Sequence, residues 1–334
     1  MPRPIDSDRL AFHRLVFARR RSGWWTPLAV AGVGLVFYAV LLAALVLGIV
    51  VWALVDQAVG ASMQSMLTSG ALLDVTSPVS LVLGLGSIAL MLPAYTLASL
   101  VINGRRLGFI SAVYGRMRWR WLLVCGGLAV GVAVVSTGVS LLLPADEVST
   151  PTAPDANPAL WVSLVLILLL VPVQATAEEY VFRGFLMQAV GRWLRHPLFA
   201  ILLPTPLFVF GHLYDPVGLV GVGLFAVVAG WLTWRTGGLE AAIALHVVNN
   251  LLAFLLGLAD ASDVAATEVG WQSLVMSIVL LGGFALLVEL VLRRRPIART
   301  YAMPRTVLPP VSPMPTPTAT VPLPGDPVPD LTRP

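Results

Sequence analysis

Uncharged apolar runs of bilayer-spanning length recur along most of this chain, and they constrain its fold more tightly than any motif. Hydrocarbon offers the backbone no hydrogen-bond partners, so a spanning segment has to be a helix or part of a closed barrel. Runs of about 17–25 residues select the helix. Eight are found: Pro27 to Val55, Pro78 to Ile102, Trp121 to Leu143, Pro158 to about Val181, Leu198 to Tyr214, Val217 to Trp234, Leu239 to Leu258 and Trp271 to Leu292. With 57% hydrophobic and 11% charged residues among 334, the chain lies far from the roughly 25% charged of soluble domains. The expected fold is all-α, a multi-pass transmembrane helical bundle of about eight spans.

Loop charge supports that count independently. Arginines precede span one and follow spans two, four, six and eight, as at Arg105, Arg106, Arg192, Arg195, Arg235 and Arg293 to Arg295. The intervening loops carry only acids, among them Asp56, Asp74, Asp146, Glu147, Asp215 and Asp263. This alternation is what the positive-inside bias produces when both termini are cytoplasmic. Trp24, Trp25, Trp119, Trp121 and Trp193 fall near the cytoplasmic boundaries, where an aromatic belt is expected.

The chain therefore divides into a basic cytoplasmic N-terminus (1–26), N-terminal transmembrane helices (27–143), a core segment (158–258), a last transmembrane helix (271–292) and a Pro-rich tail (303–334). The first apolar run exceeds the roughly 7–15 residues of a signal-peptide core and is expected to remain as an anchor. The tail cannot build a packed core and is assigned no chemistry. All 21 basic residues are arginine, the mark of a GC-rich genome, so a bacterial inner or plasma membrane is expected. They sit in short loops without a groove-like cluster, which argues against a nucleic-acid partner. The single Cys125 excludes disulfides and cysteine-based zinc sites within one chain.

Against this apolar background, Glu178-Glu179-Tyr180-Val181-Phe182-Arg183-Gly184 stands out. A charge at the bilayer centre costs about 2.5–3.5 kcal/mol on insertion scales, so intramembrane carboxylates normally have a partner or a task. Glu179 and Arg183, four apart, share a helical face and form an expected structural ion pair. Glu178 points elsewhere and is left as the available carboxylate.

Two further polar groups lie downstream. His212 closes Phe208-Val209-Phe210-Gly211-His212 in a segment kinked by Pro204 and Pro206, and His246 and Asn250 share a helical face with Asn249 near its edge. The other two histidines, His13 and His196, lie in basic boundary regions. A carboxylate and a histidine can hold one water and remove its proton, while a second histidine and an amide donate to a developing oxyanion. Alternatively, Glu178, His212 and His246 supply a two-histidine, one-carboxylate zinc set. The residue types suit either mechanism. Convergence of the three segments is expected, although a straight fifth span would carry His212 towards the outer side, so that span has to tilt, start deeper or break at its prolines.

Glu-Glu-x-x-x-Arg from Glu178 to Arg183, Phe-x-x-x-His from Phe208 to His212 and His-x-x-x-Asn from His246 to Asn250 resemble the three ordered motifs of the CPBP intramembrane protease family. This is also called the type II CAAX prenyl endopeptidase or bacterial self-immunity family. The resemblance covers about Pro158 to Leu258 with no departure at a motif position, so that 158–258 reads as the protease core. It implies an intramembrane endopeptidase that hydrolyses a peptide bond, with Glu178 and His212 activating water and His246 and Asn250 stabilising the oxyanion. Glu179, Arg183 and Phe208 support them. Within the family, classification as a metalloprotease coexists with a proposed metal-independent glutamate mechanism, and we favour the latter.

The other intramembrane protease classes lack their letters here: His-Glu-x-x-His is absent, and Gly221-Val222-Gly223 is followed by Leu224 where an aspartyl site needs Asp. The competing reading is a non-catalytic membrane protein, either a proton-coupled transporter or a bacteriocin self-immunity or scaffold protein. For the enzyme, the expected partners are a peptide or membrane-protein substrate and the bilayer. The sequence specifies neither the substrate nor the oligomeric state.

Overall fold

The computed structural model describes residues 9–69, 73–140, 157–212, 214–259 and 271–303. The expected Pro-rich tail and the acidic loops at Asp146 and Asp263 lie outside these residues. In chain order the helices are α1 (Thr26–Val55), α2 (Gln57–Ser69), α3 (Pro78–Ala89), α4 (Met91–Asn103), α5 (Gly108–Ser111), α6 (Trp119–Ser140) and α7 (Leu160–Glu179). A π-helical run, Tyr180–Leu186, leads into α8 (Met187–Trp193), followed by α9 (Pro197–Leu202), α10 (Thr205–Phe210), α11 (Pro216–Thr236), α12 (Glu240–Leu258) and α13 (Trp271–Arg294). A short antiparallel ladder joins β1 (Arg9–Ala11) to β2 (Thr300–Ala302), with Leu10 opposite Tyr301.

Seven of the described rods are long and apolar enough to cross a membrane: α1, α3 with α4, α6, α7 through α8, α11, α12 and α13. Their polarity is inverted relative to a soluble bundle. Leu35, Val40 and Leu47 on α1, Val134 on α6 and Leu286 on α13 are exposed, whereas Gln174, Glu178, Glu179, Arg183, Glu240 and His246 are buried. Apolar side chains outside and polar ones inside fit a lipid solvent. The protein is an all-α, multi-pass membrane protein.

The fifth expected span corrects the sequence reading. Instead of one rod over Leu198 to Tyr214, the apolar helix covers only Pro197–Phe210 and is split into α9 and α10. Pro204 and Pro206 have no N–H to return to the carbonyls of Ala200 and Leu202, so the ladder breaks there. Both pieces still run antiparallel to α11, with Ile201 packed at Gly230 and Val209 near Gly223.

The fourth span also differs from expectation. It does not end near Val181 but continues to Trp193, 34 residues in all, or about 50 Å at 1.5 Å per residue. Glu178 therefore sits near the middle of the rod rather than at its end. Just beyond it the helix widens to π geometry, closed by the Met187 N–H donating to the Phe182 carbonyl. Such widened turns concentrate at functional sites. Gly184 lets this run approach α5, because a Cβ there would stand 2.7 Å from the Ile110 side chain.

One end of the bundle is fastened by arginines acting as donors. Arg118, ahead of α6, bonds Glu240 at the start of α12 through Nε to Oε1 (2.8 Å) and Nη2 to Oε2 (2.6 Å), and its backbone N–H also donates to Oε1. Arg235 on α11 pairs with Glu289 on α13 at 2.7 Å. The basic N-terminal segment is folded as well: within the 3₁₀ turn Phe12–Ala18, Arg14 donates to the Gly191 carbonyl (2.7 Å) and His13 Nε2 to that of Arg195 (2.9 Å).

Two predictions follow from this end. Glu240 is fully buried, so Glu240→Ala leaves Arg118 without its counter-charge and is expected to lower unfolding stability by about 3–5 kcal/mol. A loss below about 1 kcal/mol in detergent unfolding would show the pair to be solvated. His13 has its Nδ1 buried without a partner. Burial pushes its pKa below the ordinary 6.5, the Arg195 bond opposing and the Arg14 and His196 charges adding to the drop. The unfolded chain then binds the proton more readily, so the contribution of His13 is complete above pH about 6.5 and is lost as pH falls below it. His13→Gln should flatten the acid limb of the stability profile, and an unchanged limb would locate the titration elsewhere.

Candidate active site

The buried polar centre forms where the end of α7 and the π run face α12, α10 and α11. Glu179 Oε1 accepts two hydrogen bonds, from Arg183 Nη1 at 2.8 Å and from His246 Nδ1 at 2.7 Å. The expected Glu179–Arg183 pair is thus in place, extended by a histidine from another helix. Arg183 also donates through Nη2 to the Ala226 carbonyl at 3.2 Å. Its guanidinium lies over the Phe208 ring (4.5 Å) and nearer the edge of reach over Phe225 (5.7 Å). One buried arginine so ties three segments together.

With Nδ1–H given to Glu179, the reactive edge of His246 is Nε2. It stands 3.3 Å from Glu178 Oε2, an oxygen that is buried and makes no aligned hydrogen bond. A carboxylate oxygen and a neutral imidazole nitrogen are both acceptors, so this approach requires a shared proton or a bridging group. Glu178, the carboxylate left over by sequence reasoning, faces the one histidine nitrogen left over by the structural pair.

His212 enters from the end of α10. Its Nδ1 donates to the Phe208 carbonyl at 2.8 Å, which leaves Nε2 as an acceptor in the neutral ring. Phe208 contacts both histidines, with ring centroids 4.8 Å from His212 and 6.1 Å from His246. No carboxylate oxygen among the described residues lies within 4.0 Å of the His212 nitrogens. Asn250, one turn beyond His246, donates Nδ2 to Gln174 Oε1 at 3.2 Å and accepts at Oδ1 from Asn249 Nδ2 at 3.1 Å. Its second N–H has no protein partner among the described residues.

Glu178, Glu179, Arg183, His246 and Phe208 are therefore in one cluster, Asn250 is at its edge, and His212 approaches without touching the carboxylates. Three residues escaped the sequence reading. Gln174 lies four before Glu178, a spacing that could have flagged it. Tyr214 stacks on His212 with centroids 6.1 Å apart and is within electrostatic reach of Glu178. Phe225 meets His246 edge-on at 4.8 Å, and no local pattern marks it.

The zinc set of Glu178, His212 and His246 is not assembled in this arrangement. No three His, Cys, Asp or Glu side chains among the described residues are placed to hold a metal ion. His246 Nδ1 and His212 Nδ1 are both committed to protein acceptors, which leaves the Nε2 of each ring as its one available ligand atom.

Fold and site together define a multi-pass helical membrane protein with a buried glutamate, histidine and arginine centre. Residues 159–252 match the family model described as Type II CAAX prenyl endopeptidase Rce1-like, a segment that holds all three motifs, and over it the resemblance to the CPBP family holds. The chain is also 38% identical over 104 residues to the uncharacterized protein YyaK of Bacillus subtilis (strain 168). That match covers 29% of this chain and 34% of the relative, so it spans about a third of the length of the curated protein. No solved structure matches.

The two glutamates should separate experimentally. Glu179→Gln weakens the acceptor of two buried donors and is expected to cost about 3–5 kcal/mol of unfolding stability. Glu178→Gln, whose Oε2 makes no hydrogen bond, should stay within about 1 kcal/mol of the parent. Equal losses would remove the division between a structural and a chemical carboxylate.

Proposed function

We propose that this protein is an intramembrane endopeptidase that hydrolyses a peptide bond by a metal-independent, glutamate-activated water. The observation that carries the reading is Glu178 Oε2, buried and unbonded, 3.3 Å from His246 Nε2. A paired buried carboxylate would serve structure alone; this one keeps a lone pair for a proton. The match of 159–252 to the Rce1-like family model supports the same reaction class.

In this mechanism Glu178 takes a proton from a water held jointly with the His212 Nε2 acceptor. The resulting hydroxide attacks the substrate carbonyl carbon. The oxyanion receives the free Asn250 N–H and, while the water's proton is passed from Glu178 to His246, the Nε2–H; the proton returns to Glu178 as the intermediate collapses. Glu178 then passes its proton to the leaving amine, which restores the starting state. Glu179 and Arg183 touch no reacting atom and act by holding the His246 ring. Substrates are peptides or membrane-protein segments entering from the bilayer, and a bacterial plasma membrane is the proposed location.

Turnover of a fluorogenic peptide library by the purified chain tests this directly. Glu178→Gln and His246→Ala should each lower kcat/KM by about 10²–10⁴-fold, the usual worth of a positioned acid–base group. His212→Ala should fall in the same range. Chelator treatment should leave the rate unchanged. Full activity in Glu178→Gln would refute the base assignment, chelator-sensitive turnover restored by zinc would refute the metal-free route, and proton-coupled uptake without cleavage would replace the enzyme by a transporter.

A further inference from the structure

A cavity with a mixed polar and apolar lining lies on a different face of the π run, between Tyr180 and Gln188 on one side and Tyr95, Ser99 and Asn103 of α4 on the other, with Thr26 at the start of α1. Arg19 lines it and is buried, 7% exposed. Its Nη1 donates to Ser99 Oγ and its Nη2 to the carbonyls of Ser99 (3.0 Å) and Gly104 (3.1 Å). Nε is buried with no partner at all.

Every acceptor of Arg19 is neutral. Arg183, the other buried arginine among the described residues, has Glu179, and the partly buried Arg118 has Glu240. Among the described residues no carboxylate oxygen lies within 4.0 Å of Arg19. Burial alone pushes its pKa down to about 10, with no opposing charge acting on it. Desolvating a cation without a counter-charge is unfavourable, and a protein that keeps one charged normally supplies an anion from somewhere.

The surroundings identify the anion. Arg20, Arg21, Arg105 and Arg106 are exposed nearby in sequence and space, with Asn103 donating to the Arg21 carbonyl and Arg106 to that of Ala18. The cavity sits where α1 begins and α4 ends, next to the exposed Trp24 and Trp25, the level at which headgroups meet a spanning helix. From its apolar wall at Pro27 and Val30, α1 continues with exposed Leu28, Leu35 and Val36. We infer that this cavity binds the phosphate of an anionic membrane phospholipid, which supplies the counter-charge of Arg19 while its acyl chains follow α1. The inference stands apart from the peptidase reading and uses none of its residues.

Native mass spectrometry of the full chain in detergent, titrated with phosphatidylglycerol, tests it. The parent should retain phosphatidylglycerol at least about tenfold more tightly than phosphatidylcholine, and Arg19→Gln should lose about tenfold in affinity. The exposed double variant Arg294→Gln/Arg295→Gln, at the end of α13 and outside the cavity lining, should change affinity by less than about threefold. Thr96→Leu fills the cavity wall without touching Arg19 and should reproduce the loss, which keeps the test decisive if Arg19→Gln does not fold. Unchanged lipid affinity in Thr96→Leu and in folded Arg19→Gln overturns the site. So does displacement of the lipid by millimolar inorganic phosphate, which would make it a site for a soluble anion. Competition by a peptide with a free terminal carboxylate, but not by its amide, would assign the cavity to a peptide end and equally overturn the lipid.

Discussion

A single oxygen, Glu179 Oε1, accepts from a guanidinium on its own helix and from an imidazole on another, and the geometry of the centre depends on it. The carboxylate is fully buried, a location that is unfavourable for one charge and tolerable only when the opposite charge and its hydrogen bonds come with it. Arg183 provides both at four-residue spacing. Its remaining donor and its flat face then engage the Ala226 carbonyl and the Phe208 ring, so that one local pair also sets the distance of α11 and α10 from α7. The His246 ring can rotate little once Nδ1 is fixed, and its other nitrogen is aimed at Glu178 as a consequence.

How much of this the sequence carries depends on whether an interaction is local. The Glu179–Arg183 pair is legible because helical periodicity alone places the two side chains together. So is the separate orientation of the adjacent glutamates, which about 100° per residue points apart. The bond from His246 to Glu179 is not, because it joins residues 67 positions apart and nothing in either helix specifies the other's rotation. The same holds for Arg118 with Glu240: one is a loop arginine following span two, and the other lies at the start of the apolar run from Leu239 to Leu258. A loop arginine and a carboxylate at a helix start satisfy each other by tertiary approach.

The span count shows a different kind of limit. Hydropathy measures composition and does not register a broken hydrogen-bond ladder, so 198–214 reads as one more rod although Pro204 and Pro206 interrupt it. In the fourth span, by contrast, hydropathy stops too early, because Arg183 and Gln188 look like a helix end when they are buried inside the bundle. Both discrepancies arise next to the polar centre, where local preference gives way to the requirements of a buried site.

They also act together on the geometry. A rod that ended near Val181 would hold Glu178 at one face of the membrane, while an unbroken fifth rod would carry His212 towards the opposite face. The longer fourth rod puts Glu178 near its middle. The break in the fifth lets α10 end beside Phe225, with Phe208 stacked on it at 5.9 Å and His212 one turn further on. Phe208 then fills the space between the two histidines with an apolar ring. A proline pair that costs two helical hydrogen bonds thereby supplies the approach of His212 that an ideal helix would have prevented.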